Sequence, residues 1–219
     1  MQKNDASQIE ASSSRGRGRP RAFDREIALE RATLLFWTKG YDSTSISDLT
    51  EAMQIGTKSL YAAFGSKEEL YGEALRFYYR SYEGLVWERF RAAQTAREAA
   101  SAFLFDSAAA LTGSLCDIPK GCMATLASVG SGGLCTLKEF ADTVTGTFSR
   151  LNVRFEQGVA DGDLPADVDP GKLARFVETV QNGMTVRARN GNNRADLEGV
   201  AQVAMAGWDG LVSLASARS

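Results

Sequence analysis

Arginine occupies every second position in one short stretch, at Arg15, Arg17, Arg19 and Arg21, with Gly and Pro between. Like charges on so flexible a backbone oppose compact structure and suit a polyanion. The segment is therefore a candidate DNA-binding arm, and a disordered solubilising tail is the plain alternative. Cys122 is the other residue set up for chemistry. It follows Pro119–Lys120–Gly121 at the start of an expected helix, where the helix dipole and a lysine make a thiol more reactive. Its plain alternative is a small buried hydrophobe. Cys116, Cys122 and Cys135 are odd in number, and their spacing matches no metal-ligand pattern, so neither a disulfide scaffold nor a metal site is expected. The chain has no histidine at all. That removes the commonest general base, the usual zinc ligand and every Ser-His or Cys-His pair. No cofactor and no enzymatic activity are expected.

The elements that must position these groups are helical. A hydrophobic fraction of 44% over 219 residues suits a folded protein with a real core. No apolar run approaches the roughly 20 residues of a membrane span, and the N-terminus lacks the apolar stretch of a signal peptide. No membrane partner and a cytoplasmic location are expected. Net charge is −2, but its distribution is uneven: residues 15–67 hold nine Lys and Arg against six Asp and Glu, whereas residues 83–219 hold thirteen against sixteen. A mildly basic N-terminal part thus precedes an acidic remainder.

Asp24 is a good N-cap, Ala28, Ala32, Leu35 and Phe36 form one helical stripe, and Gly40 fits as the stop. Thr44 or Ser45 caps a second, short helix with Ile46, Leu49 and Met53. A turn at Gln54–Ile55–Gly56 leads to a third helix carrying Leu60, Tyr61 and Phe64, which Gly65 ends. Ser66, with Glu69 three residues on, opens a long fourth helix striped by Tyr71, Leu75, Tyr78, Tyr82, Val86 and Phe90. Further helices are expected near 97–115, 122–131, 134–160, 170–189 and 196–216, the third of these striped by Phe140, Val144, Phe148, Leu151 and Phe155. Strand alternation is nowhere sustained. The pattern predicts an all-α protein of about nine helices; with the motif read next, it divides into an arm over 1–21, a helix-turn-helix DNA-binding domain over 22–68 and a larger ligand-binding and dimerisation domain over 69–219.

Two short helices joined by a tight turn and buttressed by a preceding helix make the helix-turn-helix plan, whose second helix enters the major groove. The run KGYDSTSISDLTEAMQIGTKSLYAAFGSKEELY resembles the DNA-binding segment of the TetR family of bacterial regulators, through Phe36, Gly40, Tyr41, Thr44, Ser45, Leu49, Leu60, Tyr61, Phe64, Lys67 and Leu70. The match spans about residues 24 to 72. It implies phosphate contacts for Thr44 or Ser45 at a helix N-terminus and for Tyr61 and Lys67, with Thr57, Lys58 and Ser59 opening the recognition helix as base-reading candidates. The chain departs from the family at the turn. Gln54 replaces a glycine that tolerates a left-handed conformation, at a cost of roughly 1 kcal/mol or less. Gly56 replaces the serine cap of the recognition helix, at about a few tenths of a kcal/mol. Ala62 and Ala63 stand where many relatives carry polar groups, which gives more weight to the arginine arm, whose Gly18–Arg19–Pro20 resembles the core of AT-hooks and suits a narrow minor groove.

The resemblance also implies a pocket for a hydrophobic or aromatic effector among the central helices. Tyr78, Tyr82, Phe105, Cys122, Met123, Phe148 and Met184 are its candidate lining, and plain core packing is the alternative for most of them. It further implies a symmetric dimer through the last two helices, with Phe176, Val180, Gly183, Val200, Ala204 and Trp208 at the interface and a palindromic double-stranded operator as partner. The reading is a repressor released by its effector. The rivals are a redox or electrophile sensor acting through Cys122 and, more remotely, a helical small-molecule-binding protein or enzyme without an operator.

Overall fold

Asp24 starts the first helix by accepting the backbone N–H groups of Glu26 and Ile27 at 2.9 and 3.2 Å, two donors that the helix itself cannot satisfy. The chain that follows is a computed structural model describing residues 23–130 and 138–216, with the side chains of 128–145 outside the description. The arginine arm (Arg15, Arg17, Arg19, Arg21), Cys135, and the Phe140 and Val144 side chains therefore lie outside the described residues. The helices are α1 (Arg25–Lys39), α2 (Ile46–Met53), α3 (Thr57–Phe64), α4 (Lys67–Tyr82), α5 (Gly84–Ala92) and α6 (Ala96–Leu111). After them come α7 (Met123–Gly130), α8 (Lys138–Ala160), α9 (Pro170–Arg189), α10 (Arg194–Ala206) and α11 (Trp208–Ser216).

There is no strand among the described residues, and the fold is all-α. Among the described residues eleven helices stand where the periodicity predicts about nine, because two long ones are each interrupted at a single residue. Glu83 separates α4 from α5 while keeping helical dihedrals (φ −56°, ψ −42°), and Gly207 separates α10 from α11. Apolar periodicity runs through both interruptions and masks them, although a glycine stands at or next to each, Gly84 and Gly207. Gly40 does end α1, at a φ of 80° that glycine alone adopts readily.

Two hydrophobic cores form. The first gathers Ala28, Ala32, Phe36, Leu49, Met53, Leu60, Phe64, Leu70, Tyr71 and Phe77 from α1–α4, together with Met123 and Ala127 of α7. Helix α7 thus packs beneath the N-terminal helices although some forty residues separate it from them in sequence. The second core joins α5, α6 and α8–α11 around Trp87, Phe103, Leu151, Phe155, Val177, Met184 and Trp208. Among the described residues no helix is long and apolar enough to cross a membrane.

Candidate nucleic-acid interface and effector cavity

Helix α3 is amphipathic in the way a groove-reading helix requires. Leu60 and Phe64 are buried in the N-terminal core, where α3 packs against α2 and α4, while Thr57, Lys58, Ser59 and Tyr61 are exposed. Its N-cap is Gly56, which makes no side-chain capping bond. Just before it Gln54 is left-handed (φ 57°, ψ 41°), the one non-glycine residue with positive φ among the described residues. The family's glycine conformation is therefore kept without the glycine.

Long-range bonds fix the tilt of α3. Arg25 donates to Glu73 at 2.7 Å and to the Ala63 carbonyl at 3.2 Å, and its guanidinium lies 4.4 Å from the centre of the Phe64 ring. The end of α3 is thereby tied to both α1 and α4. Helix α2 opens on a reciprocal cap: Ser45 Oγ accepts from the Asp48 N–H at 3.0 Å, and Asp48 accepts from the Ser45 N–H at 2.9 Å. Lys39 adds an ion pair to Asp48 at 3.0 Å. The backbone N–H of Ser45, then Lys39 and the Ser45 hydroxyl, hold the Asp48 carboxyl down to about 2.

Placement of the phosphate candidates corrects one of them. Thr44 is buried, and its hydroxyl donates to the Gly40 carbonyl at 2.6 Å, so it braces the end of α1 and its side chain is not at the surface to meet a phosphate. Ser45 is the exposed hydroxyl and the helix cap. Lys67 holds its ammonium 4.2 Å from the centre of the Tyr41 ring, and Tyr61 stands free at the surface.

The second site is an aromatic-lined cavity whose enclosed free space is about 60 Å³. Six aromatic rings face it (Trp37, Tyr78, Tyr79, Tyr82, Trp87 and Phe103), accompanied by Cys122, Glu83 and Gln181. Trp37 meets Tyr78 and Tyr82 edge-on with ring centres 4.8 and 5.3 Å apart. The Tyr78 hydroxyl donates to Cys122 Sγ at 3.4 Å, and burial, then the thiol, pushes the Tyr78 hydroxyl well above its ordinary value. At the mouth, burial raises the Glu83 carboxyl, but Arg150 and Arg91, each at 2.8 Å, outweigh it and hold the group below its usual value.

Of the seven residues expected to line this space, Tyr78, Tyr82 and Cys122 do. The other four are corrections. Met123 belongs to the N-terminal core, Met184 is buried in the second core, and Phe105 packs against that core from outside. Phe148 lies under the Arg175 guanidinium at 5.2 Å. Periodicity places all seven on apolar faces, but a face filled by a neighbouring helix and a face left open look identical in sequence. Trp37 and Trp87 were missed for the same reason. Trp37 carried the one available hint, an indole N–H in a buried position that must find a partner; it donates to the Gly121 carbonyl at 2.8 Å.

An apolar stripe runs along the last helices. Val200, Val203, Gly207, Gly210 and Leu214, at steps of three and four, are all exposed, Val203 at 76% and Leu214 at 71%. Gly183 and Val186 of α9 are exposed as well, and Phe176, Val180 and Ala204 are half-buried. Trp208 corrects the expected interface: it is 4% exposed and packs edge-on against Phe155 inside the chain.

Residues 28–74 match the family model described as "Bacterial regulatory proteins, tetR family". The chain is 32% identical over 203 residues to the HTH-type transcriptional repressor ComR of Escherichia coli (strain K12), covering 90% of this chain and 95% of that protein. It is 46% identical over 65 residues to the repressor BdcR of the same organism, covering 30% of this chain and 33% of that one. Among solved structures it is similar to the TetR family transcriptional regulator CifR, as a cysteine mutant complexed with 26bp double-strand operator DNA. That similarity has a TM-score of 0.79 and 37% identity over 86% of this chain and 98% of the other.

Proposed function

The chain belongs to the TetR family of bacterial transcriptional regulators, a DNA-binding and not an enzymatic family, and from that premise we propose that it is a repressor whose grip on its operator is released by a hydrophobic or aromatic effector. The observation that carries this reading is that Trp37, a residue of the N-terminal helix-turn-helix unit, forms part of the wall of the aromatic cavity. A ligand entering that space touches the reading unit directly. It can therefore bind one orientation of that unit better than another, which is what a shift in operator affinity requires.

Thr57, Lys58 and Ser59 read base edges, with Ser45, Tyr61 and Lys67 on the phosphates flanking them. A second copy docks along the Val200–Leu214 stripe and the exposed side of α9, with Gly207 and Gly210 letting backbones approach closely. The two-fold dimer then presents two α3 helices to a palindrome, about one helical turn apart. Replacing Lys58, Tyr61 and Lys67 by Ala should abolish binding to duplexes selected from a random pool by the unaltered protein, with the melting curve unchanged. Retained binding would refute the assignment. For the effector, Trp37 and Trp87 in the cavity wall serve as fluorescent reporters: an aromatic ligand that quenches them should also dissociate the selected duplex.

A second reading is favoured by one contact, the Tyr78 hydroxyl on Cys122 Sγ within the same cavity. An electrophile reaching Cys122 would alkylate the sulfur with loss of its proton, break this bond and add bulk beside Trp37. Cys122→Ser should then leave operator affinity intact and abolish release by iodoacetamide. Release that persists in the variant would sink this second reading.

A further inference from the structure

Arg189 is the last residue of α9, yet its side chain ends on α1. Nη2 donates to the Thr38 carbonyl at 2.8 Å, and Nη1 to the carbonyls of Trp37 at 3.3 Å and Lys120 at 3.5 Å. The first two oxygens are among the four that the C-terminus of α1 leaves without helical partners. The Phe36 carbonyl is taken by the Gly40 N–H at 2.8 Å. A guanidinium at this point also faces the negative ends of two helix dipoles, that of α1 and that of its own α9.

The stem of Arg189 lies against Gly121. A Cβ there would stand 3.1 Å from the Arg189 Cγ, and Gly121 has a φ of 85°, so a side chain at this position would crowd the Arg189 stem and strain the backbone. The Gly121 carbonyl in turn accepts from Trp37 Nε1. Three segments are thus closed into one ring of bonds: the end of α1 in the reading unit, the loop that leads into Cys122, and the end of α9.

We propose that Arg189 is a positioning residue that sets the angle of the reading unit on α9, and through it the separation of the two reading helices on a palindrome. The inference rests on the dimeric reading above. A forked guanidinium can hold two successive carbonyls in a fixed geometry, whereas the single ammonium of a lysine cannot. Arg189→Lys should therefore leave each reading unit intact but let its angle vary.

The test uses the full chain and an inverted-repeat duplex that the unaltered protein selects from a random pool. Arg189→Lys, and Arg189→Met as a second variant that keeps the stem against Gly121, are compared with the parent on three probes. These are the selected repeat, the repeat with its spacer lengthened by one base pair, and a single half-site at low salt. Expected are unchanged half-site affinity, binding to the repeat weakened by about fivefold to tenfold, in the lower range of coupling between linked sites, and a reduced preference for the native spacer. A purely structural role would lower half-site affinity in parallel with the melting temperature, and that result would overturn the proposal. Undiminished spacer preference in a folded variant would overturn it too. Should the parent select no inverted repeat, the dimeric reading fails first and this inference with it, an outcome distinct from the other two.

Discussion

Gln54 offers the cleanest test of the local physics, because one residue holds the turn in a conformation that its type disfavours. At φ 57° and ψ 41° its Cβ crowds its own carbonyl, a strain of roughly 1–2 kcal/mol for a residue other than glycine. Glycine removes the strain but restores freedom to the unfolded chain, at about 0.4–1 kcal/mol. Gln54→Gly should therefore stabilise the protein by about 0.5–1 kcal/mol, which for a chain of this size raises the melting temperature by about 1–4 °C. Gln54 is exposed, so little packing is lost in the exchange. The assay is thermal unfolding followed by far-UV circular dichroism on a series at this position. Stability should fall in the order Gly, Asn, Gln, Val, because Asn enters the left-handed region more readily than Gln and a β-branched side chain less. A Gly variant less stable than the parent, or a Val variant equal to it, would refute the reasoning.

The Asp48 carboxyl lies at about 2 in the folded chain against an ordinary 3.8, so its support for the start of α2 is complete above the ordinary value and disappears as the pH falls from there towards 2. Carboxyl titration by NMR should give that midpoint, and Asp48→Asn should flatten the acid limb of the unfolding curve. Deleting residues 1–21 should weaken operator binding and reduce the slope of log affinity against log salt by roughly 3–4, if all four arginines neutralise phosphates; anisotropy titrations between about 50 and 200 mM salt would measure it. Val203→Lys should yield a folded monomer in sedimentation with normal unfolding, whereas Trp208→Ala should cost about 3–5 kcal/mol because it empties a site inside the chain. A dimeric Val203→Lys would move the interface elsewhere.

The reading unit was largely legible because the signals that build it are short in range. The Asp24 cap, the Gly40 stop, the Gly56 cap and the turn at Gln54 each depend on residues within a few places of one another; the first two stand where the spacing put them, the Gly56 cap where the resemblance put it, and Gln54 keeps the left-handed conformation of the glycine it replaces. Thr44 and Ser45 mark the limit. Both are hydroxyls before the same helix, and only the packing of Thr44 onto the Gly40 carbonyl turns one inward and leaves the other as cap. The same limit misplaced Trp208, whose helical spacing fits an interface but whose ring fills the space beside Phe155.

From sequence alone came the helix-turn-helix and its scaffold residues, since caps, turns and i, i+3, i+4 stripes act within one stretch of chain, while the family came from the resemblance of that motif. Tertiary structure alone decided which apolar faces stay open as a cavity, that Trp37 of the reading unit forms part of its wall, and that Arg189 reaches back across about 150 positions to close the end of α1. Those contacts join segments whose separation in sequence carries no periodic signal. They exist only once the helices have packed and left particular carbonyls and particular spaces unfilled.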